Sequence, residues 1–162
     1  MSDNLGARLR NAKESLSAWY DRLNTQWADA EKTLRSFNLS QDVWTSFKAE
    51  THESDDGTPS RDVFSPTYSR DVEHCLAFLK QDGEWKICYA LGEVGDSDSY
   101  SPRPVRDCSL EVRMLALEGL PKLLHAIVEE AEAESTKLEV ALGAAAESLA
   151  SFKAAMELKD DS

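Results

Sequence analysis

At 162 residues, with 41% apolar and 30% charged side chains, the chain is long enough for one domain with a real core and too apolar for wholesale disorder. A net charge of −12 argues against DNA or RNA as direct partners, because phosphate-backbone affinity comes from Lys and Arg displacing counterions. A polar N-terminal stretch, no apolar run of about 18 residues and three cysteines without a framework spacing (Cys75, Cys88, Cys108) predict a reduced, cytoplasmic protein without a membrane span.

Over residues 5–37 the apolar positions Leu5, Leu9, Ala12, Leu16, Trp19, Leu23, Trp27, Ala30, Leu34 and Phe37 advance by three and four, which places them on one helical face. Glu31 precedes Arg35 by one turn in the favourable order. From 41 to 91 the period changes to two, and a three-stranded antiparallel sheet is expected around a loop at 53–70. Val43, Thr45, Phe47 and Ala49 form the buried face of its first strand. Asp82-Gly83 predicts a two-residue turn that sets Gln81 against Glu84 and puts Leu76, Phe78, Trp85, Ile87 and Tyr89 on one face. A three-residue loop with a bulge at Gly83 would shift that register by one.

Residues 92–108 are rich in Gly, Ser, Asp and Pro and predict a loop. Ser109 is an apt N-cap for a short helix over 109–118, and Gly119 with Pro121 predicts a break before a long helix over 121–158. That last segment has the most regular pattern in the chain: Leu124, Val128, Ala131, Ser135, Leu138, Leu142, Ala145, Leu149, Phe152 and Met156 keep a four-three alternation throughout, as a coiled-coil seam does.

The expected whole is a single α+β domain in which two long helices lie antiparallel as a coiled-coil-like stalk and flank a small antiparallel sheet, with one short extra helix. Residues 1–37 carry six Lys or Arg against five Asp or Glu, whereas residues 121–162 carry four against nine. That contrast favours pairing between unlike helices over pairing of two C-terminal helices, although Trp19 and Trp27 are bulky enough to suggest a broader bundle formed by a second copy.

No pattern in the chain specifies a reaction. His74 and Cys75 are neighbours in a strand and must face opposite ways, His52 beside Glu53, Asp55 and Asp56 lacks a second His at ligand spacing, and the 96–107 segment has Ser101 where a calcium loop needs Gly. No catalytic residue, metal or cofactor is therefore expected. Trp44 and the acidic residues Asp55, Asp56, Asp96 and Asp98 are the candidate interaction surface, and His74, Trp85 and Tyr89 the candidate pocket under the sheet. The run Lys80-Gln81-Asp82-Gly83-Glu84-Trp85-Lys86-Ile87 resembles a hairpin of nuclear-transport-factor-like α+β domains, which end in their sheet. The order long helix, hairpin region, long helix is similar in outline to the prefoldin subunits, a likeness that implies chaperone-like client binding. The leading expectation is a non-enzymatic protein-protein interaction module, a scaffold, adaptor or chaperone-like subunit whose partner is a protein, including a second copy of itself. An acidic inhibitor or immunity-type protein and a small-ligand pocket are the alternatives.

Overall fold

Helix α1 spans Ser2–Arg35 in a computed structural model that describes residues 2–53 and 69–160. Its expected stripe divides into two parts. Leu23, Trp27 and Leu34 are buried, with Trp27 only 1% exposed, while Leu5, Leu9, Leu16 and Trp19 stand in solvent. Lys32 and Arg35 occupy the last turn, where cations suit the helix dipole. The chain then reverses through Asn38, whose φ of 51° is in the left-handed region that Asn tolerates, and buried Leu39 leads into the sheet.

Strands β1 (Val43–Glu53), β2 (Ser69–Gln81) and β3 (Glu84–Glu93) form an antiparallel meander, to which the two-residue β4 (Arg103–Pro104) adds a fourth strand in the order β1-β2-β3-β4. The fourth strand lies in the segment expected to be only loop. Asp82 and Gly83 have φ of 53° and 84° and Gln81 pairs with Glu84, so the two-residue turn is the one formed. Leu76, Phe78, Trp85, Ile87 and Tyr89 accordingly share one core cluster.

The first strand departs from simple alternation. Its register against β2 shifts between Ser46 and Lys48, so Thr45 faces Leu76 but Lys48 faces His74 and Ala49 faces Glu73. One extra residue reverses the parity of everything beyond it. Ala49, expected to be buried, is exposed, and Lys48 and Glu50 instead share a face with His74.

Helix α2 runs unbroken over Leu110–Asp160, with Pro121 inside it. The expected division into 109–118 and 121–158 is absent. An internal Pro costs about 3 kcal/mol, but Ala116, Leu123 and Ile127 are fully buried on either side of it, and each large side chain contributes roughly 1.5 to 3 kcal/mol on burial. Continuity therefore wins. Gly119 is also part of this packing rather than a helix stop: a Cβ there would meet the Phe47 ring at 2.5 Å, so its absence lets α2 lie close on β1. Gly119→Ala should destabilise the fold by roughly 1 to 3 kcal/mol through overpacking, despite alanine's better helix propensity. Gly143→Ala, where a Cβ meets nothing within 4 Å, should instead raise helix content; thermal unfolding followed by circular dichroism reads both signs.

Both helices lie on the same sheet face, and they run in the same sense across it. Arg113 of α2 donates to Asn24, while Ser40 and Gln41, beyond the end of α1, donate to Glu134 and Glu130. The buried contacts of α1 fall on β3 and those of α2 on β1 and β2, so within one chain they are not zipped as antiparallel rods. No described helix is long and apolar enough to cross a membrane.

Candidate functional site

The back face of the sheet carries a recess. Residues 94–104 fold over it, tied by a hydrogen bond from the Gln81 side chain to the Pro102 carbonyl. Gly92 allows this, because a Cβ there would strike the Tyr100 ring at 2.5 Å. Tyr100 stands edge-on to Trp44 at 6.3 Å and donates its hydroxyl to Glu73. Together with Ser46, Cys75 and Asp96 these groups line an open cleft of about 500 Å³. Trp44, the foremost contact candidate from the sequence, is thus half-exposed beside a cleft and is not covered by α2.

Burial pushes the Cys75 thiol up to about 11, with the Glu73 carboxylate adding to the effect, which disfavours its thiolate. The Tyr100 hydrogen bond holds the Glu73 carboxyl below its usual range and pushes Tyr100 itself up to about 12. A depressed carboxyl contributes stability above its unfolded value, and that contribution is lost as pH falls through the folded value. The Trp44–Tyr100 contact should therefore loosen on acidification below about pH 4.5, a change visible in near-UV circular dichroism and absent in Tyr100→Phe.

On the opposite face, His74 and Tyr89 come together, with Nδ1 2.7 Å from the tyrosine hydroxyl. His74 Nε2 lies 3.5 Å from Glu50, whose carboxylate is held down by Lys48 at 2.8 Å and then by His74. A hydroxyl that donates to Nδ1 leaves the proton on Nε2, a buried nitrogen that lies near the Glu50 carboxylate but has no hydrogen-bond partner. The bulge at Phe47 makes this chain across β1, β2 and β3 possible. Phe47 packs over His74 at 6.1 Å. Trp85, the third expected pocket residue, lies apart and stacks on Phe78 at 5.1 Å. His74 and Cys75 face opposite ways, as the alternation requires.

Asp96 and Asp98 sit together on a short turn, where Asp96 Oδ1 accepts from the Asp98 backbone N–H at 3.1 Å. Asp55 and Asp56 lie outside the described residues, so the expected four-residue acidic cluster is seen only by half. Among the described residues no group of three His, Cys, Asp or Glu side chains is placed to hold a metal ion.

The most extensive unpartnered surfaces are helical. In α2 the sheet is contacted by Ala116, Leu123 and Ile127, with Ala131 packed against the same cluster; Leu124 and Val128 beside them are 39% and 42% exposed, and beyond the sheet Leu138, Leu142, Leu149, Phe152 and Met156 are more so. In α1 the segment 4–22 is exposed throughout, with Trp19 at 62%. Because the helices run in the same sense, the free part of α1 leaves one end of the sheet and the free part of α2 leaves the other. An apolar groove of about 400 Å³, lined by Leu16, Trp19, Tyr20 and Leu23 with Met114 and Leu117, marks where the first arm departs. The sequence showed both stripes but not that neither would be covered within one chain. Comparison with protein-family models, with curated proteins and with solved structures finds no match.

Proposed function

We propose that this protein is a non-enzymatic interaction module whose working surfaces are its two projecting helical arms, residues 4–22 of α1 and 135–156 of α2. The observation that supports this most strongly is the continuation of the sheet-facing stripe of α2 beyond the sheet: Ala116, Leu123 and Ile127 pack on it, and Leu138, Leu142, Ala145, Leu149, Phe152 and Met156 carry the same helical face on into solvent. A fold that needed only to cover its sheet would have no use for this continuation. Each Leu or Phe left in water forgoes roughly 1.5 to 3 kcal/mol, and helices of some twenty residues without tertiary contacts are marginal in water. The alternation of the exposed stripe suits knobs-into-holes packing with another helix. Contiguous apolar surface of this extent characterises protein contact sites.

Photo-crosslinking in the cell of origin, with probes placed in turn on the arms and on the sheet, tests the proposal. Adducts to another polypeptide are expected from positions such as Ala12 and Ala145. Adducts confined to the cleft and the β-strands would show that the arms are not the contact surface.

A further inference from the structure

We infer that the cleft on the back face of the sheet binds a quaternary ammonium group, held in the corner between the Trp44 and Tyr100 rings and beside the Glu73 and Asp96 carboxylates. The site lies across the sheet from the helices and is independent of what the arms contact.

The two rings meet at 78° with centroids 6.3 Å apart, so they form two walls of a corner rather than a closed stack. A cation in such a corner is attracted by the negative face of each ring it touches. Tyr100 is fixed from both ends: the absent Cβ of Gly92 lets its ring sit against β3, and its hydroxyl donates to Glu73 on β2. Trp44 is 43% exposed and belongs to neither buried cluster, so core packing does not account for its place. The cleft, at about 500 Å³, falls within the range of small-molecule sites.

Charge complementarity points to a cation. The lining includes Glu73 and Asp96 and no Lys, Arg or His. Among the described residues neither carboxylate is in a salt bridge, whereas Glu31, Glu50 and Glu93 all are. The Tyr100 and Ser46 hydroxyls hold the Glu73 carboxyl below its ordinary value, so it is ionised at neutral pH, and the Asp96 charge reaches the same phenol. A partly enclosed pair of anions without a counter-ion favours a positively charged ligand.

Hydrogen bonding selects the kind of cation. Tyr100 and Ser46 already occupy Glu73, and Asp96 accepts from the Asp98 N–H. A primary ammonium brings N–H donors that need acceptors, and a divalent metal needs a full shell of oxygen ligands, which two part-occupied carboxylates do not supply. A quaternary nitrogen has no donor. Its methyl groups require only apolar and π surface, which the indole, the phenol ring and the protonated Cys75 thiol provide.

The test follows the Trp44 indole N–H and the Gly95 amide of the full chain by NMR while choline chloride is added. Both signals should shift with a Kd of about 1 mM or tighter, and the buried Trp27 indole should not move. Dimethylbutanol, the uncharged carbon isostere of choline, should bind at least about tenfold more weakly. Trp44→Leu and Glu73→Gln, read at the Gly95 amide, should each weaken choline about tenfold, with the Trp27 signal showing that the variant is folded. A peptide carrying trimethyllysine separates the two sources of the group: tighter binding than choline assigns the cleft to a modified polypeptide and weaker binding to a free small molecule, and either supports the cation. Equal affinity for the neutral alcohol, or no shift with either cationic probe at about 20 mM, would overturn the inference without any variant. Undiminished choline binding to folded Trp44→Leu or Glu73→Gln would overturn it as well.

Discussion

Trp27→Ala should cost roughly 3 to 5 kcal/mol of folding stability, the range for deleting a large aromatic from a core whose surroundings relax only partly. The indole is 1% exposed and packed in one cluster with Leu23, Leu34, Phe78 and Ile87, where α1 crosses the sheet. Trp19, two turns earlier on the same stripe, supplies the control. It makes a cation–π contact with Arg22, centroid distance 4.8 Å, but no buried contact. Trp19→Ala, studied dilute enough to keep the chain monomeric, should leave stability within about 0.5 kcal/mol of the parent. Urea unfolding of the two variants side by side separates the half of α1 that builds the domain from the half that does not.

Glu31→Ala should cost roughly 2 to 4 kcal/mol, a large effect for one helical glutamate. Its carboxylate is buried, accepts the Ile87 N–H at 3.2 Å, and lies 3.9 Å from Arg35 and 3.8 Å from Arg106. Beyond the two residues paired with β4, the outer edge of β3 would otherwise leave that N–H without a partner. Arg35 completes the seal by donating to the Trp85 carbonyl at 2.9 Å. Truncation at Glu31 strands a buried donor, worth about 1 to 3 kcal/mol, and removes the counter-charge of two guanidinium groups that are half in solvent. Glu31→Gln keeps an acceptor for Ile87 and should cost about half as much; the ratio of the two, from chemical unfolding, distinguishes the hydrogen bond from the ion pairs.

The elements that were legible in the sequence are those in which one physical signal acts alone. The stripe of α1 has no competing pattern before Phe37, and Asp82-Gly83 permits the positive φ values a two-residue turn requires, so helix and hairpin followed directly, with the two-residue register preferred over a bulge at Gly83. Elsewhere two signals overlapped. In α2 most of the regular pattern is the sheet-facing face carried beyond the sheet, and over the sheet itself that face, at Ala116, Leu123 and Ile127, is hidden by Gly119 and Pro121 falling between its members. Local propensity opposed helix there, and tertiary burial overrode it. The bulge at Phe47 has no sequence mark such as Gly, so the inward turn of Lys48 and Glu50 toward His74 was not readable. Nor was the shared direction of the helices, because the number of strands between them decides it, and β4 is only two residues long.

The candidate site was legible in part for the same reason. The alternation set Trp44 opposite the buried face of β1 but left open whether a helix covers it there, and Tyr100, which completes the cleft, lies in a segment with no periodicity to assign it a direction. Of the three residues named as a candidate pocket, His74 and Tyr89 meet, whereas Trp85 shares their face without sharing their location. Both apolar arms were visible as stripes. Their exposure depends on where each helix meets the sheet, which periodicity alone does not specify.

Amide hydrogen exchange across residues 5–22 and 135–156, measured on the protein alone and bound to the polypeptide that its arms crosslink to, tests most directly whether the arms are covered by another chain. Docked arms should exchange at least a hundredfold more slowly than an isolated helix of the same length, while the strands stay protected with or without the partner. Arms that exchange at free-helix rates in the bound protein, beside a fully protected sheet, would contradict the account.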